Sequence, residues 1–276
     1  MKNDKIKLIV CDLDGTLLNS KKELTKASID TLKEAKQRSI CVCYASGRYD
    51  QMMSVYSEAI GGADYLLSCN GAYVKSIDGE ILYKECLDDG VKEKIYEYLY
   101  EHDMVAMTYT TDHMYYVKDS EVLMKRITDY EALAKSKGYP IKLPATPIEL
   151  TGCHDFIKDV IKIVAYDEPD RLSAFSDYVS KLDHVKNEST GYGLMGVFHP
   201  EVSKYSGIEA IKKAMNITDE NVIVFGDYDN DLSMFACAKH SVAMANASEN
   251  VKKAATDFTL SNDEDGVSEY IKHNIF

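Results

Sequence analysis

At 276 residues, with 45% hydrophobic and 28% charged side chains, the chain is long enough for about two domains and has an ordinary globular balance. A formal net charge of −13, with Lys and Arg scattered along the sequence, argues against a surface built to grip nucleic acid or an anionic membrane. No stretch of about 18 consecutive apolar residues occurs, and the opening Met1 to Lys5 is too soon charged for a signal peptide, so a cytoplasmic protein is expected.

In chain order, the first third alternates short apolar runs with amphipathic segments. Strands are predicted at about 7–11, 40–44 and 65–69, with helices at about 25–38 and 49–60. The middle, from 84 to 187, carries its own helices (about 89–101 and 171–182) and strands (about 104–110, 113–118 and 160–166). It also holds Pro140, Pro144, Pro147 and Pro169 of the chain's five prolines. The last third returns to alternation, with a helix at about 203–215, a strand at 221–225, a helix at 231–238, a strand at 241–244 and a helix at 248–255. This pattern predicts an α/β protein: a Rossmann-like doubly wound parallel-sheet core from 1–83 and 188–276, with 84–187 inserted as a second α/β domain. Ligands of such sheets collect at the carboxyl ends of the strands.

Those ends carry the informative residues. The first strand runs into Asp12-Leu13-Asp14-Gly15-Thr16, and a spacing of two puts both carboxylates on one side. One carboxylate can attack phosphorus while a second protonates the leaving oxygen and later activates water. Gly15 lets the chain turn sharply after them. The second strand ends in Ser46-Gly47-Arg48 before a helix, where a hydroxyl and backbone N–H groups suit a phosphate, although Ser-Gly also serves as a plain N-cap and turn. Lys204 heads the 203–215 helix and offers the positive charge that clustered carboxylates and an anionic substrate require. The strand at 221–225 breaks into Gly226-Asp227-Tyr228-Asp229-Asn230-Asp231, an oxygen-rich cluster suited to Mg²⁺ held by Asp12, Asp227 and the backbone carbonyl of Asp14.

Other candidates are given structural roles. Asp229, Lys212 and Lys213 are expected on the surface, and Tyr109, Tyr115 and Tyr116 are expected to pack in the core of a strand-rich domain. The seven cysteines and seven histidines lack CxxC or HExxH spacing, so no structural zinc is expected; Cys11, Cys41, Cys43 and Cys69 behave as small core hydrophobes.

Taken in order, Asp12 to Thr16, Ser46-Gly47, Lys204 and Asp227 to Asp231 resemble the four motifs of the haloacid dehalogenase superfamily of phosphotransferases. Asn70-Gly71-Ala72, Val242 to Ala247 (with Ala245 where glycine is usual) and Ser261 to Val267 resemble strings of its Cof-type subfamily. The resemblance implies Asp12 as nucleophile, Asp14 as acid/base and Lys204 as charge stabiliser. It implies phosphate or substrate binding by Ser46, Gly47, Lys204 and Asn230, and a metal site of Asp12, Asp14 and Asp227, with Asp231 orienting water there. It further implies a large cap at 84–187 that selects the substrate. The implied activity is Mg²⁺-dependent hydrolysis of small phosphorylated metabolites through an aspartyl-phosphate. A phosphomutase and a non-catalytic phospho-ligand-binding protein are the alternatives, and nothing in the sequence sets the oligomeric state.

Overall fold

The structure is a computed structural model that describes residues 5–117, 120–149, 156–191 and 193–276. The opening Met1 to Asp4 and the end of the predicted strand at Lys118 lie outside the described residues. By their contacts the residues form two compact units: Met1–Tyr83 with Ser203–Phe276, and Lys84–Val202.

The first unit begins with β1 (Leu8–Cys11), α1 (Lys26–Gln37), β2 (Cys41–Ala45), a 3₁₀ turn at Asp50–Met53 leading into α2 (Ser54–Ala59), β3 (Tyr65–Ser68), β4 (Tyr73–Ser76) and β5 (Ile81–Lys84). The helix expected at 49–60 is thus split into a 3₁₀ turn and a short α-helix. In α1, Ser28, Thr31, Leu32 and Ala35 recur every three or four residues on the buried face, and the Thr25 hydroxyl accepts the Ser28 N–H as its cap.

The second unit contains α3 (Asp89–Glu101), β6 (Val105–Tyr109), β7 (Met114–Val117), α4 (Glu121–Ser136), β8 (Ala145–Ile148), β9 (Lys162–Tyr166), α5 (Pro169–Val179), β10 (Lys186–Gly191) and β11 (Leu194–Phe198). Its six strands form one sheet in the order β10-β11-β9-β6-β7-β8, antiparallel except for the β7/β8 pair. Ile95, Tyr96 and Leu99 of α3 and Leu172, Phe175 and Val179 of α5 pack with Ala106, Ile163, Ala165 and Val197 in its core. Tyr109 and Tyr116 are buried and Tyr115 packs against that core, as their strand positions predicted. The unit ends at Val202 rather than at 187, because β10 and β11 form a hairpin that pairs onto β9. The sequence hid this boundary, since β10 reads Lys-Asn-Glu-Ser-Thr-Gly and shows no apolar run.

The first unit resumes with α6 (Lys204–Met215), β12 (Val222–Gly226), α7 (Leu232–Phe235), β13 (His240–Ala243), α8 (Glu249–Ala254), β14 (Asp257–Phe258) and α9 (Gly266–Asn274). Its eight strands run β14-β13-β12-β1-β2-β3-β4-β5. From β14 to β3 every pair is parallel, and β4 turns back antiparallel to β3. Crossover helices cover the sheet, so the central strands are apolar throughout: all four residues of β1 and all five of β12 are buried. This is the doubly wound α/β core that the alternating pattern predicted. Among the described residues no helix is long and apolar enough to cross a membrane.

Candidate active site

In register, Cys11 at the end of β1 lies beside Phe225 of β12 on one side and Tyr44 of β2 on the other. The three chains therefore leave the sheet together. The ends of β1, β2 and β12 bring Asp12 and Asp14, Ser46 to Arg48, and Asp227 to Asp231 to one edge, where α6 presents Lys204. The Ser203 hydroxyl accepts the Ser206 N–H and so caps α6, placing Lys204 as its first residue.

Lys204 is the electrostatic centre. Its ammonium, fully buried, donates to Asp12 Oδ1 at 2.6 Å and to Asp231 Oδ1 at 2.6 Å. The other Asp231 oxygen accepts the backbone N–H groups of Asp227 (2.8 Å) and Tyr228 (3.1 Å), so this carboxylate holds both the lysine and the loop after β12. Thr16 donates its hydroxyl to Asp227 Oδ1 at 2.7 Å. Gly15 adopts φ +95°, and a Cβ there would collide with the Asp227 carboxylate, so the turn after Asp14 both needs a left-handed backbone and has no room for a side chain.

One oxygen each from Asp12, Asp227 and Asp231 falls within 4.8 Å of the others. Three carboxylates therefore share one ammonium, and the imbalance shows in their acidities. Burial pushes Asp12 well above the usual carboxylate range; Lys204 opposes this, while Asp231 and Asp227 reinforce it. Asp227 is raised to about 6, chiefly by burial and also by Asp231 and Asp14, against the bond from Thr16 and the charge of Lys204. Lys204 is held more firmly cationic because Asp12 and Asp231 outweigh its burial. A cluster of oxygen donors this short of positive charge fits a hard cation, with Asp12 and Asp227 as the carboxylates least compensated by protein partners.

Asp14 faces a different environment. Arg48 grips it with a two-pronged fork, Nε to Oδ2 at 2.7 Å and Nη2 to Oδ1 at 2.8 Å, and Lys22 adds a contact at 2.9 Å. Burial alone would raise its pKa, but the bonds and charges of Arg48 and Lys22 prevail and lower it to about 2. The Arg48 guanidinium also lies over the Tyr56 ring, 5.4 Å from its centroid.

The remaining candidates fall close by. Ser46 is buried, and its hydroxyl accepts the Arg48 N–H at 3.2 Å. Gly47 lies against the side chain of Asn70, and the Asn230 amide donates to Asn70 Oδ1 at 3.3 Å. Asp229 is exposed and bonded to Ser248 and Asn250, a loop role as expected. Lys213 is exposed, but Lys212 is not the surface residue the sequence suggested: it is buried, pairs with Glu209 and Asp219, and donates to the Cys237 carbonyl. Its position repeats the buried spacing of Lys204, Gly207, Ile208 and Ile211 on α6, so helical periodicity places it inward and only its charge suggested the surface.

Sequence reasoning passed over Arg48, Lys22 and Thr16. Arg48 had a readable signal, because a second carboxylate at Asp14 calls for its own counter-charge. Lys22 had none: it sits in a turn at φ +59° that only the folded chain brings back to Asp14. The strings near 246 and 262 also gain a physical role. Asn246 donates to the Gly15 carbonyl and accepts the Asn262 N–H, Asn262 donates to the Leu18 carbonyl, and Asp263 accepts from Ser20. They pin the segment that follows Asp14. Ala245 is exposed there, so its methyl group meets no obstacle.

The chain is similar to proteins of known class along almost its whole length. It is 27% identical to Phosphatase YwpJ of Bacillus subtilis, over 97% of this chain and 99% of that protein. It is 25% identical to the pyridoxal phosphate phosphatase YbhA of Escherichia coli, over 96% and 97% respectively. The crystal structure of a haloacid dehalogenase-like hydrolase from Bacteroides thetaiotaomicron superposes with a TM-score of 0.84 at 30% identity, covering 99% of this chain and all of that one. Residues 9–271 match the model of the haloacid dehalogenase-like hydrolase family. With its strand-end carboxylates gathered around one buried lysine, this chain belongs to the haloacid dehalogenase-like hydrolase family.

Proposed function

We propose that the protein hydrolyses small phosphate monoesters, with Asp12 as nucleophile, Asp14 as acid and base, and Mg²⁺ as cofactor. The observation that carries this reading is the Lys204 ammonium set between Asp12 and Asp231, with Asp227 alongside and Asp14 two residues on: a nucleophile, its charge balance and a proton carrier at one strand edge.

In the first half-reaction an Asp12 oxygen attacks phosphorus, the bond from phosphorus to the ester oxygen breaks, and the Asp14 carboxyl passes its proton to that oxygen. In the second, Asp14 takes a proton from water as the water oxygen attacks phosphorus; the bond to Asp12 breaks and inorganic phosphate leaves. Lys204 opposes the protonation that burial favours at Asp12 and balances charge on the transferring group. Asp12, Asp227 and the Asp14 backbone carbonyl would hold the cation, with Asp231 beside it; when bound, it supplies the positive charge that this cluster lacks. Ser46, Gly47 and Asn230 are assigned to the phosphate oxygens. Because Arg48 holds Asp14 ionised, substrate binding must loosen that fork for Asp14 to carry a proton to the leaving oxygen.

Choice of substrate is assigned to the Lys84–Val202 unit, which supplies none of these groups. Two relatives, a pyridoxal phosphate phosphatase and a 5-amino-6-(5-phospho-D-ribitylamino)uracil phosphatase, support small phosphorylated metabolites as the class. The six described cysteines are all free, which suits a reducing cytoplasm.

The test is inorganic phosphate release from a panel of phosphate monoesters, with and without Mg²⁺, for the protein and Asp12→Asn. Metal-dependent release that falls by at least about 10⁴-fold in the variant is expected, since an amide cannot replace the nucleophile. Undiminished release by the variant overturns the assignment. Isomerised ester without free phosphate identifies a mutase, and binding without turnover a phospho-ligand-binding protein.

A further inference from the structure

Between β3 and β4 the backbone makes an unusual passage: Cys69, Asn70 and Gly71 lie in succession at φ +50°, +60° and +101°. Left-handed conformations at two consecutive non-glycine residues persist only where the surroundings dictate them. Here the surroundings are parts of the site itself. The Cys69 N–H donates to the Arg48 carbonyl at 2.8 Å and the Asn70 N–H to the Ser46 carbonyl at 3.0 Å. Gly71 presses on the head of α6, where a Cβ would collide with the Ser203 carbonyl one residue before Lys204. One turn therefore touches the Ser46 to Arg48 segment and the Lys204 helix, and its side chain reaches a third element.

That side chain is Asn70, buried and lying against Gly47; a Cβ on Gly47 would come within 3.0 Å of its Oδ1. The same Oδ1 accepts from Asn230 Nδ2 at 3.3 Å. An asparagine amide has a donor end and an acceptor end of nearly identical shape, and only its partners decide which faces which way. An acceptor oxygen on Asn70 selects the NH₂ end of Asn230 and leaves that group a second N–H. For an anionic ligand this choice matters, because the opposite orientation would aim a carbonyl oxygen at phosphate oxygens.

We propose that Asn70 is a positioning residue for phosphate binding: its side-chain carbonyl fixes the Asn230 amide so that Asn230 donates to a phosphate oxygen. The inference rests on the assignment of Asn230 to phosphate made above. It explains an asparagine at this position, since asparagine tolerates a left-handed backbone and carries a short acceptor. Asn70 acts through Asn230 and takes no part in bond making.

The test is a double-mutant cycle on the full chain with Asn70→Gly, Asn230→Ala and the double variant. It reads the dissociation constant of inorganic phosphate, by titration calorimetry, together with KM, kcat and the melting temperature. Glycine keeps the left-handed backbone and removes only the amide. Asn70→Gly is expected to weaken phosphate roughly tenfold and to raise KM more than it lowers kcat, and the double variant to bind phosphate no worse than Asn230→Ala. A phosphate constant unchanged in Asn70→Gly, or losses that multiply in the double variant, overturns the proposal. Should Asn70→Gly fail to fold, the wild-type protein still decides it: inorganic phosphate must shift the Asn230 side-chain NH₂ resonance, assigned by its loss in Asn230→Ala, and no shift sinks the idea. Absence of turnover by the wild type would overturn the phosphatase reading alone, because the phosphate-binding measurements do not depend on catalysis.

Discussion

Asp12 and Asp14 stand two residues apart at the end of one strand, yet the protein treats them in opposite ways. Asp12 is enclosed with two other carboxylates and one lysine, and its acidity is weakened. Asp14 is about one-third exposed, gripped by Arg48 and Lys22, and its acidity is strengthened. Neighbouring carboxylates with divergent environments mark a division of labour. In the proposed mechanism the Asp12 side is the one a cation would relieve of its crowded charge, and the Asp14 side is the one a substrate would have to free from Arg48.

The sharpest way to break that contrast is to remove the lysine on its crowded side. Lys204→Met leaves Asp12 and Asp231 buried without their shared partner. Breaking a buried pair in this way costs on the order of 3–5 kcal/mol, so a clear drop in melting temperature at pH 7 is expected. Turnover should fall by about 10²–10³-fold, the usual loss when a positioned charge stabiliser is deleted. A melting temperature unchanged from wild type would show that Lys204 is not the element that balances the three carboxylates.

On the other side, Arg48→Gln opens the fork on Asp14 while Lys22 remains. Both groups are partly exposed, so the stability loss at neutral pH should be no more than about 1 kcal/mol. Turnover should fall by roughly 10–100-fold as Asp14 loses its orientation. The sign of the pH effect follows from a pKa lowered from 3.8 to about 2. Stability from this contact is present above about 4 and lost as pH falls through 2, so the melting curves of variant and wild type should converge on acidification. A gap that persists at pH 2 would mean that Arg48 stabilises the fold by other contacts, among them Tyr56.

The contrast also shows what the sequence could reveal. Asp12, Asp14, Asp227 and Asp231 were legible because each follows an apolar strand of the parallel sheet, and a strand end next to glycine and clustered acids is a local pattern. Lys204 was legible by its cap and by the need for positive charge. The partners that tune these groups were not. Lys22 returns to Asp14 through a turn, and Asn70 meets Asn230 across 160 residues of chain. Lys212 falls on the buried stripe of α6, but its charge argued for the surface, and its partner Asp219 beyond the helix was not legible. The hairpin of β10 and β11 escaped for a related reason: its first strand is polar and gains its place by pairing with neighbours. Periodicity reports which face of an element is buried, and long-range pairing decides what it is buried against.

The smallest expected effect tests the crowded side directly. Asp227 is raised from 3.8 to about 6, so the folded protein prefers it protonated more than the unfolded chain does. A raised acid contributes stability that is complete below about 4 and lost as pH rises through 6. Above that pH metal-free Asp227→Asn should be more stable than wild type by a few degrees, roughly what a kcal/mol or so yields in a chain of this size, because the amide can still accept the Thr16 hydroxyl without adding charge. Magnesium is expected to reverse the order. A cation and a proton compete for the same oxygen, so the rise in wild-type melting temperature on adding Mg²⁺ should be large at pH 7.5 and small at pH 5, and weak at both in the variant. Equal magnesium shifts at the two pH values would separate the raised acidity of Asp227 from cation binding and leave the crowding of carboxylates as a purely structural feature of the strand ends.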